Sequence, residues 1–312
     1  MIRTLTLLLL IPGFTATAAP VTFTELLQAS PSDSPVYQTV GGRALHLHRF
    51  APAGLAVGDS RPAVVWIHGG GWRGGSPEVF YPHARYFATR GAVGFSVEYR
   101  LISPEALTVA DCVADCRAAV AYLRAHASEL GVDPARIAVG GDSAGGHLAA
   151  ALATLPATDA AARPNALLLY NPVLDLTEGN WTRFVEGGPG LAVKTTPPAT
   201  PAALERARAL SPLYHVGAGL PPVLLQHGQA DQIVPASQAE RFAAAAQAVG
   251  ARCELVLLPG VAHAFVVPRY RATEAVVGEA VRGADRFLVS LGWLEGSPTL
   301  TASDPPAWVR PE

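Results

Sequence analysis

The chain has 312 residues, 50% of them hydrophobic and only 15% charged, with a formal net charge of −2. That composition excludes wholesale disorder and suits one large α/β domain. With no run of Lys or Arg there is no electrostatic footprint for nucleic acid or an anionic membrane, which leaves a neutral small molecule or polymer as the partner.

In chain order, residues 1–18 read as a secretory signal peptide. Arg3 supplies the positive start, Leu5–Ile11 an apolar run too short to span a bilayer, and Ala16-Thr17-Ala18 a small-residue cleavage site. The mature protein is therefore expected to be exported, periplasmic or extracellular, with no integral membrane segment. Residues 19–35 form an N-terminal extension that either wraps the domain or folds partly over its site. The catalytic domain is expected over 36–291 and a loosely ordered tail over 292–312.

Val36–Val40 and Arg43–Phe50, separated by Gly41-Gly42, read as a hairpin. Ala63–Ile67 is an apolar strand of the kind covered on both faces, and it runs into His68-Gly69-Gly70-Gly71-Trp72. Phe80–Thr89 reads as a helix, Ala92–Tyr99 as a strand, and Thr108–Glu129 as a helix with an apolar stripe of Val113, Val120, Leu123 and Ala127. Arg136–Val139 is a strand feeding a glycine-rich turn, and Leu148–Ala153 is helical. Ala166–Tyr170, Pro222–Gln226 and Cys253–Leu258 are further strands, and Ala236–Val249 and Thr273–Leu291 further helices. Between them Glu178–Pro201 is long, irregular and rich in Gly, Pro and Thr, which suits a functional loop or lid. The alternation calls for an α/β fold with a mostly parallel, eight-stranded sheet and helices on both faces.

The chemistry centres on Gly141-x-Ser143-x-Gly145, between the Arg136–Val139 strand and the following helix. A serine presented on a sharp strand-to-helix turn crowds its neighbours two positions away unless both lack a Cβ. A serine nucleophile then needs a base, an acid that orients the base, and donors for an oxyanion. His215, His227 and His263 lie downstream; His263, in a loop just past a strand, sits at the same sheet edge as the turn and is assigned as the base. His227 suits a structural hydrogen bond. Asp175 and Asp231 compete as the acid, and Asp231, directly after an apolar strand in His227-Gly-x-x-Asp231, is favoured. Backbone donors are expected from Gly69, Gly70 and Ala144. Trp72 and Trp181 are candidate substrate-binding aromatics, with simple packing as the alternative for each. Asp142 either braces the glycine loop or stands as a solvated turn carboxylate, while His147 and Phe265 read as packing residues. Cys112, Cys116 and Cys253 do not make a disulfide framework. Buried thiols suit Cys112 and Cys116 better than a one-turn bridge, and no Cys/His pairing has zinc-ligand spacing.

His68-Gly-Gly-Gly-Trp72, Gly140-Gly-Asp-Ser143-Ala-Gly-Gly-His-Leu148, His227-Gly-x-x-Asp231 and Ala262-His263-Ala264-Phe265 together resemble the hormone-sensitive-lipase-like branch of α/β-hydrolase esterases. Asp115-Cys116-Arg117-Ala118-Ala119-Val120-x-Tyr-Leu-Arg124 and Gly131-Val-Asp-Pro134-x-Arg-Ile137 look most like bacterial feruloyl and acetyl-xylan esterases. The resemblance runs from Val36 to Leu291. It implies an α/β-hydrolase fold and a cofactor-free serine carboxylesterase that forms an acyl-enzyme on Ser143, with Asp231 and His263 completing the triad. Its substrate would be a short-chain ester, free or attached to a plant polysaccharide as an acetyl or feruloyl group. Amide cleavage of the aryl-formamidase kind is the second reading. A non-catalytic binding protein on the same fold is the third, although such proteins usually lose a triad member and here all three residue types are present.

Overall fold

A computed structural model describes residues 19–102, 107–156, 159–179, 181–186, 199–270 and 272–301. The expected signal peptide (1–18) and the tail beyond 301 lie outside the described residues, as do Asn180 and 187–198 of the irregular stretch.

The chain order is β1 (Val21–Thr22), α1 (Phe23–Leu26), β2 (Val36–Val40), β3 (Arg43–Phe50), β4 (Arg61–Ile67), α2 (Tyr81–Thr89), β5 (Val93–Val97) and α3 (Val109–Ala125). Then follow α4 (Ala127–Leu130), β6 (Val132–Asp142), α5 (Ala144–Thr154), β7 (Ala166–Tyr170), α6 (Thr182–Glu186) and α7 (Pro201–Leu210). The last elements are β8 (Val223–Gly228), α8 (Ala236–Ala248), β9 (Cys253–Leu258), α9 (Glu274–Ser290) and β10 (Leu300–Thr301).

Eight strands form one sheet in the order β2-β3-β5-β4-β6-β7-β8-β9. The β2–β3 and β3–β5 pairs are antiparallel and all the others parallel. Along β4 the side chains alternate between two cores: Ala63, Val65 and Ile67 face one, Val64 and Trp66 the other. The first core takes the buried faces of α3, α5 and α8, the second those of α1, α2 and α9, so helices cover both faces. This is the expected α/β-hydrolase architecture, with all eight expected sheet strands present.

The departures are local. The helix expected over Thr108–Glu129 breaks at His126, whose backbone leaves the α region, giving α3 and α4. β6 starts at Val132 and absorbs the Asp133-Pro134 turn, with an irregular register against β4 between Arg61 and Ala63. Within the irregular stretch Thr182–Glu186 is helical, and Pro201–Leu210 follows as a helix capped by the Thr200 hydroxyl on the Ala203 amide.

The tail and the extension require a correction. Residues 292–301 are not loose: Leu294 and Leu300 are buried, and β10 pairs in parallel with β1 of the extension. The cause is a buried charge. Arg90 binds the Asp285 carboxylate through Nε at 2.7 Å and also donates to the Glu295 and Gly296 carbonyls, while Tyr86 donates to Asp285 and accepts from the Thr299 amide. An arginine with unmatched donors is expensive to bury, and the tail carbonyls complete its set. The extension wraps the domain, with Phe23 and Leu26 in the core beside α2. It contributes no residue to the cavity described next.

Candidate active site

β6 ends at Asp142 and α5 begins at Ala144, so Ser143 occupies a one-residue turn with φ 52° and ψ −117°. That conformation is strained for any side-chain-bearing residue. The flanking glycines allow it. A Cβ on Gly141 would lie 2.4 Å from the Ile67 carbonyl and 2.6 Å from the Gly145 backbone, and one on Gly145 only 2.0 Å from Ile67. The backbone is fastened by the Ser143 amide donating to the Tyr170 carbonyl at 3.0 Å, which ties the turn to β7.

The loops after β8 and β9 are stitched together. The Ala230 amide donates to the Val261 carbonyl at 3.0 Å and the Gln229 amide to Leu258 at 2.9 Å. Only a glycine fits at 228, where a Cβ would stand 2.2 Å from the Val261 carbonyl. This close approach brings His263 onto Asp231: His263 Nδ1 lies 2.6 Å from Asp231 Oδ2, and Nε2 lies 2.9 Å from Ser143 Oγ. A carboxylate only accepts, so Nδ1 carries the proton and Nε2 offers its lone pair to the serine hydroxyl. Ser143, Asp231 and His263 are 8%, 9% and 9% exposed, enough for a substrate to touch yet mostly shielded from water. The residue after the histidine, Ala264, also has a left-handed φ of 61°.

Asp231 is held on all sides. Its Oδ1 accepts from the Ile233 and Val234 amides at 2.8 and 2.9 Å, and His227 Nε2 stands 3.3 Å from Oδ2 while donating to the Val234 carbonyl at 2.9 Å. Burial alone would raise this carboxyl. The hydrogen bonds from His227 and His263, the charge of His263 and the Val234 amide outweigh it and hold Asp231 well below the usual carboxylate range. His227 thus has the structural hydrogen bond expected of it, and it also braces the acid.

The rival acid goes elsewhere. Asp175 is buried and accepts from the Thr177 hydroxyl, the Tyr214 hydroxyl at 2.9 Å and Arg241 Nη1 at 3.1 Å. Gln238 accepts from the Leu174 and Asp175 amides, so this network anchors the root of the irregular stretch. His147 is fully buried, edge-on to Trp72, with Nε2 donating to the Leu210 carbonyl. Phe265 is in the core.

The glycine loop differs from expectation at one position. Gly69 lines the cavity, but its amide is already taken: it donates to Asp142 Oδ1 at 2.8 Å. Gly70 and Gly71, with φ of 105° and 61°, line the cavity, and their amides have no hydrogen-bond partner among the described residues. Gly70 and Gly71 thus carry the loop amides left open, and the Ala144 amide lies at the first turn of α5, where amides lack intrahelical acceptors. The sequence does not distinguish Gly69 from Gly71, because the two differ only in which amide an aspartate seventy-odd positions away has already taken.

These groups meet in a cavity of about 420 Å³ whose lining is mostly apolar: Trp72, Val79, Val173, Trp181, Ile233 and Val267 surround Ser143 and His263. Trp72 is fully buried at φ 59° and packs on His147, Trp181 and Phe184, so it is a wall fixed by the core. Trp181 is half-buried and separates this cavity from a neighbouring one of about 360 Å³. Among the described residues no cluster of three His, Cys, Asp or Glu side chains could hold a metal ion, and no helix is long and apolar enough to cross a membrane. Cys112, Cys116 and Cys253 are free thiols.

A strained serine at the end of a central parallel strand, hydrogen-bonded to a histidine that is itself held by a carboxylate, defines the serine-hydrolase class of α/β proteins. The chain belongs to the alpha/beta hydrolase fold family, whose model matches residues 64–267. It is similar to the esterase LipQ of Mycobacterium tuberculosis (31% identical, covering 86% of this chain and 65% of that one). It is also similar to the probable carboxylic ester hydrolase LipM of the same organism (29% identical, 74% and 55%). The chain thus spans somewhat over half the length of these curated relatives. Among solved structures it resembles the Thermogutta terrifontis esterase Est2 with propionate bound, at 36% identity and a TM-score of 0.75, covering 89% of this chain and 100% of that chain. The same esterase with butyrate bound matches at 38% identity and a TM-score of 0.74, covering 86% and 96%.

Proposed function

We propose that the protein is a serine carboxylesterase that hydrolyses short-chain acyl esters through an acyl-enzyme on Ser143. The observation that carries this reading is the continuous relay from Asp231 Oδ2 through His263 to Ser143 Oγ, at 2.6 and 2.9 Å. Ser143 Oγ attacks the ester carbonyl carbon as His263 Nε2 takes its proton. The carbonyl oxygen becomes an oxyanion held by the Gly70, Gly71 and Ala144 amides, each such donor being worth about 10²–10³ in kcat. When the tetrahedral adduct collapses, the alkoxide leaves with the proton from His263. Water, deprotonated by the same nitrogen, then attacks the acyl-enzyme and releases the acid, and the serine regains its proton.

The short acyl preference is supported by the apolar, modest cavity and by the propionate and butyrate bound to the Thermogutta esterase. An acetyl or feruloyl group on a plant polysaccharide is the substrate suggested by the segments Asp115–Arg124 and Gly131–Ile137. Export rests on the signal-like residues 1–18 and predicts a mature N-terminus at Ala19. The test is turnover of p-nitrophenyl acetate by the wild type and Ser143→Ala. Loss of about 10⁶-fold in kcat supports the reading; equal rates overturn it. Acetyl, butyryl, octanoyl and feruloyl esters compared side by side rank the acyl groups, and octanoate faster than acetate refutes the short-chain preference.

A further inference from the structure

The loop from His68 to Gly75 holds the proposed oxyanion donors, so its rigidity is a catalytic quantity. The Tyr99 hydroxyl donates to the His68 carbonyl at 3.0 Å, and the Ile102 amide donates to the Trp72 carbonyl at 2.8 Å. Both of these hold carbonyls. The only amide of Gly69, Gly70 and Gly71 that is tied down among the described residues is that of Gly69, by Asp142 Oδ1.

Asp142 is an unusual choice for that task. It is 3% exposed, it lies at the cavity wall directly before Ser143, and His263 is near enough to favour its charge when protonated. Burial pushes its carboxyl up to about 6 despite the Gly69 amide and the His263 charge. A residue accepted at such a cost needs a compensating contact. The fit is close: a Cβ on Gly69 would lie 2.7 and 2.9 Å from the two carboxylate oxygens, so no side chain fits between the loop and the carboxyl group. The strand end that sets the nucleophile therefore also sets the loop facing it.

We propose that Asp142 is a positioning residue for the oxyanion loop, its carboxylate gripping the Gly69 amide so that the Gly70 and Gly71 amides stay fixed at the cavity wall beside Ser143. This rests on the esterase reading for its catalytic consequence, though not for the grip itself. Two variants separate grip from charge. Asp142→Ala removes the acceptor. Asp142→Asn keeps an acceptor oxygen for the Gly69 amide and removes only the charge.

With p-nitrophenyl acetate, Asp142→Ala is expected to lose about 100-fold in kcat, the scale of one oxyanion donor, with KM changed less than about threefold. Asp142→Asn is expected to recover kcat to within about fivefold of wild type on the same grounds. Amide hydrogen exchange over residues 66–75 supplies a readout independent of turnover. The loop should exchange at least about tenfold faster in Asp142→Ala and at the wild-type rate in Asp142→Asn, while α2 stays unchanged. Wild-type turnover and loop exchange in Asp142→Ala would overturn the proposal, as would an Asp142→Asn variant as impaired as Asp142→Ala. If wild type and Ser143→Ala are equally inert, the esterase reading fails by itself, and the exchange comparison still decides the grip.

Discussion

The ends of β6 and β8 each place a buried aspartate at the same edge of the sheet, and the two carboxyl groups are driven in opposite directions. Asp231, after β8, meets two histidines and two backbone amides and is held well below the usual range. Asp142, ending β6, has burial as its dominant influence, which the Gly69 amide, His263 and its own amide only partly offset, and it is pushed up to about 6. Burial raises both; the hydrogen bonds from His227 and His263, which Asp142 lacks, reverse the sign at Asp231. In the proposed mechanism the first is thereby committed to a charge that stabilises a histidinium. The other keeps a marginal charge and acts through geometry.

The largest effect that would break this contrast is expected at Asp231. Asp231→Asn keeps the shape but can donate to His263 Nδ1, which favours the tautomer with its proton on Nε2, unable to accept from Ser143. A loss of about 10⁴ in kcat is expected, measured at saturating p-nitrophenyl acetate near pH 8. A loss below about tenfold would show that Asp231 does not set the tautomer. The stability signature has a definite sign as well. A lowered carboxyl contributes stability above its unfolded value, and that contribution fades as pH falls through the folded one, so Asp231 favours neutral over acid conditions.

The next effect runs the other way. Asp142, raised to about 6, favours folding fully below the ordinary carboxyl value, and the advantage is lost as pH rises through about 6. A shift of this size corresponds to about 3 kcal/mol between the two limits. Urea unfolding of wild type and Asp142→Asn at pH 4 and pH 8 is expected to show the variant gaining that amount relative to wild type on going to pH 8. The pH-dependent difference is the quantity to read, because the new amide NH₂ adds a constant cost of its own. A flat difference would mean that Asp142 titrates as an ordinary surface carboxyl.

The strands, the turn at Ser143 and the meeting of Ser143, His263 and Asp231 were legible in the sequence because each is announced locally: apolar runs for the strands, glycines two positions either side of Ser143, and His227-Gly-x-x-Asp231 at a strand end. What was illegible depends on partners distant in the chain. Gly69 and Gly71 look equivalent until Asp142 takes one amide. Residues 292–301 look like a loose, proline-marked tail until Arg90, some 200 positions earlier, claims the carbonyls of Glu295 and Gly296. Trp72 and Trp181 look alike as substrate aromatics, yet one is fully buried and locked against His147 and Phe184 while the other stands at a boundary between cavities.

That last pair supplies the smallest effect and extends the contrast from charge to shape. Trp181 and Ile233 line both the cavity around Ser143 and the adjoining one, so the Trp181 ring acts as a partition, whereas Trp72 has core on the side away from the cavity. Removing the partition enlarges the room available to an acyl chain without disturbing the relay. Each methylene newly accommodated is worth about 1 kcal/mol in discrimination, so Trp181→Ala is expected to raise kcat/KM for octanoyl relative to acetyl esters by about tenfold or more. Trp72→Ala should instead leave the acyl ranking in place and cost about 3–5 kcal/mol of stability, as a fully buried aromatic does. An unchanged acyl ranking in Trp181→Ala, measured with p-nitrophenyl acetate, butyrate and octanoate, would assign the limit on chain length to the remaining wall residues, Val173 and Val267.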